Sequence, residues 1–86
     1  MGTLEKLLRR ILSGTSDTNI AFDELRRVLA HFGFDERIRG SHHIFTRADV
    51  AEILNLQDKQ GKAKPYQVKQ VRELILKYRM ARPGDE

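Results

Sequence analysis

At Gly33 the spacing of apolar side chains changes from a period of about 3.6 residues to a period of about 2. Ahead of it Phe22, Leu25, Val28, Leu29 and Phe32 recur on one helical face, and Asp23 and Glu24 fall in the first turn, where the positive end of the helix dipole favours acids. His31 belongs to the last turn, where an imidazolium interacts well with the carbonyl end, so its expected role is structural. Beyond the glycine, residues 34–39 alternate, Gly40-Ser41 fits a tight connection, and a second alternating run reaches Thr46. Two periods in so short a stretch demand a helix stacked on a sheet.

The flanking segments complete that layout. Thr3 can cap a first helix in which Leu4, Leu7, Leu8, Ile11 and Leu12 form a full apolar stripe ending at Gly14. Such a short helix is marginal alone, so the stripe must pack on the domain or on another chain. Thr15 to Asn19 is polar and turn-forming. After a turn at Ala48-Asp49, Glu52 to Gln57 alternates, with Leu54 and Leu56 on one side and Ile53, Asn55 and Gln57 on the other. Val50, Ile53 and Leu54 are also helix-spaced, so a helix over residues 47–56 competes with this strand. Residues 58–64 form a hydrophilic loop, and Pro65 suits the first position of a last helix buried through Val68, Val71, Leu74, Ile75 and Tyr78. Residues 82–86 have nothing to bury and are expected to be a flexible tail.

The expected fold class is therefore α+β: α-β-β-β-α, the order of the double-stranded RNA-binding domain, with an additional N-terminal helix. A thin core suits a three-stranded antiparallel sheet with helices on one face, because a chain of 86 residues hides only about 60 to 65% of its unfolded surface. Residues 1–81 read as a single domain, of which residues 1–14 are the extra helix.

Charge is distributed unevenly. Residues 1–61 hold nine basic and nine acidic side chains, whereas residues 62–82 hold seven basic ones against Glu73 alone. A cationic end suggests a phosphate-rich partner, although a merely solvated helix face has the same composition. The absence of cysteine removes disulfides and thiolate metal sites and suits a reducing interior. No apolar run approaches the roughly 20 residues of a membrane span and no signal-peptide core opens the chain, so the expectation is a cytoplasmic protein without a membrane partner.

The stretch Arg39-Gly40-Ser41-His42-His43-Ile44-Phe45 offers the chemistry. Histidine exchanges protons near neutral pH, and cutting RNA without a metal needs such a group at the 2′-hydroxyl together with cations at phosphorus. On a strand, neighbours face opposite ways, so His42 and His43 cannot serve one substrate atom. Alternation pairs His42 with Ile44 and His43 with Phe45, both apolar, and does not choose between them. Surface histidines without a chemical role fit the same spacing. Adjacent histidines on one strand are also poorly placed to share a metal ion, and no cofactor motif is present. Ser41 lacks the setting of a nucleophile elbow and reads as a turn residue or phosphate contact, while Gly40 allows either a tight hairpin or a close phosphate.

Gly-Ser-His-His-Ile-Phe, preceded by an amphipathic helix ending at Gly33 and followed by a basic helix, resembles the HicA family of toxin-antitoxin mRNA interferases over about residues 20–80. The resemblance implies the double-stranded RNA-binding-domain fold, endoribonuclease activity on mRNA, and a HicB-type antitoxin as protein partner. It puts the catalytic histidine at His42, with His43 as the alternative. Arg37, Arg39, Gly40, Ser41, Lys62, Lys64, Lys69 and Arg72 are the candidate RNA contacts. The chain departs from the family where many members carry Val-Pro-x-His-Pro after the third strand: here Asn55-Leu56-Gln57 is followed by Lys62-Ala63-Lys64-Pro65. A second catalytic histidine, if the family uses one, is missing.

Two other functions fit the residues. One is a non-catalytic RNA-binding module using the same basic face, and the other a protein-interaction adaptor working through the N-terminal helix. The phenylalanines Phe22, Phe32, Phe34 and Phe45 all look buried, leaving Tyr66 and Tyr78 for bases to stack on, which favours recognition through backbone and 2′-hydroxyl. Oligomeric state is not legible.

Overall fold

The computed structural model of the protein describes residues 3–81, so the expected tail at residues 82–86, with Arg82, lies outside the described residues. The elements run α1 (Thr3–Ser13), a short 3-10 turn (Asp17–Asn19), α2 (Phe22–His31), β1 (Asp35–Arg39), β2 (His42–Arg47), β3 (Val50–Gln57) and α3 (Pro65–Lys77). The strands form one antiparallel sheet in the order β1-β2-β3. Residues 50–57 are a strand, begun two residues before Glu52; the competing helix does not form.

Each boundary has a local cause. Gly33, at φ 85°, ends α2 in a conformation costly to other residues, and the following Phe34 N–H donates to Leu29 O at 3.0 Å. Gly40, at φ 59°, is the first residue of the two-residue link between paired Arg39 and His42, the arrangement that hairpin twist favours. The start of α2 is capped by its own third residue, Glu24, whose carboxylate accepts the Ala21 N–H at 2.9 Å. At α3, Pro65 takes the first turn, and buried Gln67 accepts the Lys64 N–H through Oε1 at 3.3 Å.

Opposed residues in an antiparallel pair project to the same face. Glu36, Phe45 and Leu54 form one cross-strand row, and Ile38, His43 and Leu56 the next. Phe45, Leu54 and Leu56 are buried in the core with the helices, so this is the covered face. The rows that alternate with them, Arg37-Ile44-Asn55 and Arg39-His42-Gln57, occupy the open face. A bulge between Phe45 and Arg47 shifts the β2-β3 register by two, an even number, so the alternation of faces survives it.

α1 is part of the same core. Leu7 and Ile11 are buried, and Leu4, Leu8 and Leu12 pack partly buried against them. Arg72 fastens this helix to α3: its guanidinium donates to both Asp17 carboxylate oxygens, at 2.9 and 3.1 Å, and to Ile11 O at 3.1 Å. Arg72, expected among the RNA contacts, instead has its side chain closing the junction of α1, the 3-10 turn and α3. Among the described residues no helix is long and apolar enough to cross a membrane.

Ile11 is fully enclosed, so Ile11→Ala should cost about 2–5 kcal/mol. Leu4→Ala, at a partly buried site, should cost less. Urea unfolding measures both, and an unchanged midpoint for Ile11→Ala would contradict the placement of α1 in the core.

Candidate functional site

The adjacent histidines of β2 lie on opposite faces, and their surroundings differ in kind. His42 is exposed on the open face. Its Nδ1 lies 2.9 Å from Asn55 Oδ1, a diagonal neighbour on β3. An amide oxygen only accepts, so Nδ1 donates in this bond, and the tautomer that fits it has its lone pair on Nε2. Arg39 and Gln57 flank His42 in the same row. Gln57 extends the polar contacts, donating to Ser41 Oγ at 3.0 Å while its Oε1 lies 3.5 Å from Lys64 Nζ. The basic start of α3 therefore approaches His42 through Gln57.

His43 points to the covered face. Its Nδ1 meets Glu36 Oε2 at 2.6 Å, and its ring packs edge-on against Phe22, centroids 4.8 Å apart. Glu36 is held in turn by Arg26, Nε to Oε2 at 2.8 Å and the terminal nitrogen to Oε1 at 3.1 Å. The Arg26 guanidinium is the main cause of a Glu36 pKa below its ordinary 4.5, followed among the lowering contacts by the His43 hydrogen bond, while partial burial opposes both. Arg26, Glu36 and His43 thus form an ionic brace tying α2 to β1 and β2. His31, exposed at the end of α2, makes an edge contact with the Phe32 ring, at 5.0 Å.

Arg37 and Arg39 line a concavity of about 670 Å³ on the open face, with Asp35, Glu36, Ile44 and Thr46. It reaches the row of His42 through Arg39 without His42 itself lining it. The lysine loop is better anchored than a hydrophilic string suggests. Ala63 is buried, its N–H donates to Ile20 O at 2.9 Å, and the Phe22 N–H donates to Gly61 O at 2.9 Å. These bonds hold Lys62 and Lys64 at defined positions beside the start of α2, with Lys62 Nζ 3.1 Å from Asn19 Oδ1.

The structure therefore brings Arg37, Arg39, Ser41 and His42 to one face or its end, with Lys64 in reach, and sets Lys69 exposed on α3. It does not bring Arg72 there, nor Lys77, whose ammonium pairs with Glu52 on β3 and, as the largest cause, lowers that carboxyl to about 2. Asn55 and Gln57 are site neighbours that the residue types alone did not single out. Their signal was available, because alternation along β3 sets both opposite to the core leucines. No family model, curated protein or solved structure matches the chain.

The brace gives a pH dependence whose sign follows from Glu36. Its folded-state pKa is depressed below 4.5, so the stabilisation is complete above that pH and is lost as pH falls through the folded value. Arg26→Met should be less stable than the parent at pH 7, and the gap should close on acidification below about pH 4.5. Denaturant unfolding across pH 3 to 7 tests this, and a constant gap contradicts it.

Proposed function

We propose that the chain is a HicA-like endoribonuclease with a fold of the double-stranded RNA-binding-domain type, cutting mRNA without a metal on the open face of its sheet. The observation that carries the reading is the separation of the two histidines. His43 is committed to the Glu36 and Phe22 contacts, whereas His42 stands exposed with Asn55 on one ring nitrogen and the other available to a substrate. In this mechanism His42 Nε2 accepts the proton of a 2′-hydroxyl, the 2′-oxygen attacks the adjacent phosphorus, and the 5′-oxygen leaves with a proton from solvent. Arg39, beside His42, stabilises the charge growing on the phosphoryl oxygens, and Arg37, Lys62, Lys64 and Lys69 hold flanking phosphates. With no second histidine in the segment after β3, the proton for the leaving group comes from solvent.

The resemblance to the toxins supplies the rest of the proposal: a cytoplasmic toxin-antitoxin pair in which a HicB-type protein covers the open face. A non-catalytic RNA-binding module uses the same arginines and lysines and differs only in what His42 does. The adaptor reading has less support, because the apolar stripe of α1 is spent inside the domain.

His42→Ala should lower RNA cleavage in excess chelator by about 100-fold or more while leaving RNA affinity nearly unchanged. His43→Ala should reduce stability, yet its folded fraction should cut at close to the parental rate. If His42→Ala cuts as fast as the parent, the catalytic assignment is wrong. A parent that binds RNA but never cuts it establishes the binding module instead. Replacing Lys62 and Lys64 together by alanine should weaken binding and flatten the log–log salt slope by about 1.4 for single strands; an unchanged slope removes both lysines from the interface.

A further inference from the structure

Tyr66 is 62% exposed, and among the described residues it is the one phenolic or phenyl ring left mostly in solvent. Its counterpart Tyr78 is engaged: that hydroxyl donates to Glu52 Oε1 at 2.6 Å and accepts the Ala51 N–H at 3.2 Å. The Tyr66 hydroxyl bonds to no group among the described residues. Lys64 Nζ lies 5.9 Å from the Tyr66 ring centroid. Lys69 is exposed three positions further along the same helix, where side chains are neighbours. Through Gln57, Lys64 is also linked to the row that contains His42.

We propose that Tyr66 is a stacking platform for one nucleobase of a single-stranded RNA, with Lys64 and Lys69 holding the phosphates on either side. The inference rests on the RNA reading above and deepens it, because it adds a base contact to an interface otherwise made of backbone contacts. An exposed aromatic face between cations is what sequence-tolerant single-strand binding uses: the ring takes any base, and the charges track the backbone. The cationic setting favours a polyanion, and a flat ring favours one that carries planar bases. A strand with a phosphate on Lys64 then brings a nucleotide toward His42 and a base from the same stretch onto Tyr66. Stacking would thus position the strand relative to the reacting hydroxyl, making Tyr66 a positioning residue.

The test uses the full chain and a short single-stranded 2′-O-methyl oligoribonucleotide, which has no 2′-hydroxyl to attack and stays intact. Tyrosine fluorescence reports binding directly, because the chain has two tyrosines and no tryptophan. Quenching should occur in the parent and in Tyr78→Phe and be largely lost in Tyr66→Phe, whose affinity is preserved. Tyr66→Ala should bind about 10-fold more weakly, and an abasic oligonucleotide of the same length should bind the parent and Tyr66→Ala alike. Parental binding that is indifferent to both the bases and Tyr66→Ala overturns the platform and leaves the RNA reading standing. A polyglutamate that binds as tightly as the oligonucleotide, and loses as much affinity in Tyr66→Ala, overturns it in favour of an acidic polypeptide. A parent that binds no oligonucleotide overturns both proposals.

Discussion

Burial of Phe45 is the constraint on which the rest of the arrangement depends. Residues two apart on a strand share a face, so seating Phe45 against Leu54 under the helices sends His43 inward and His42 outward. A slip of one residue would exchange the histidines and expose the phenylalanine, so the hydrophobic core decides which histidine the open face presents. The covered face accommodates the inward histidine with Glu36 and Arg26 at its edge, where a charged group keeps partial contact with water.

Much of the basic character of the carboxy-terminal third has a structural use. Arg72 closes the junction with α1 through Asp17 and a backbone carbonyl, and Lys77 with Tyr78 secures Glu52 on the neighbouring strand. Charge counting treats these side chains as equal, yet a guanidinium between two carboxylate oxygens has little left for a phosphate. Among the described residues the outward cations include those at the start of α3 and in the loop before it, where backbone bonds to residues 20–22 fix that loop.

The elements were legible because most carry their own signal: period, a glycine after α1, after α2 and in the β1-β2 hairpin, and proline at the first turn of α3. The two faces of β3 were legible for the same reason, since Leu54 and Leu56 alternate with Ile53, Asn55 and Gln57. The choice between the histidines was not, because Ile44 and Phe45 are both apolar and only tertiary packing decides which is buried. Asn55 as the partner of His42 was hidden by the bulge, which opposes His42 to Gln57 and leaves Asn55 on the diagonal. The inward turn of Arg72 depends on Asp17, 55 residues away in sequence, a contact that no local pattern announces.

The central claim is that the open face, with His42 in it, meets RNA while His43 stays in the brace. Imidazole and guanidinium nitrogen resonances of the full chain, followed by NMR as a non-cleavable RNA is added, read that claim residue by residue. The expected result is an Nδ1–H of His42 bonded to Asn55 in the free protein, and shifts at His42, Arg37 and Arg39 on binding with His43 and Arg26 nearly unmoved. Shifts confined to His43 and the helix side, or an open face that does not respond while RNA binds, would contradict it.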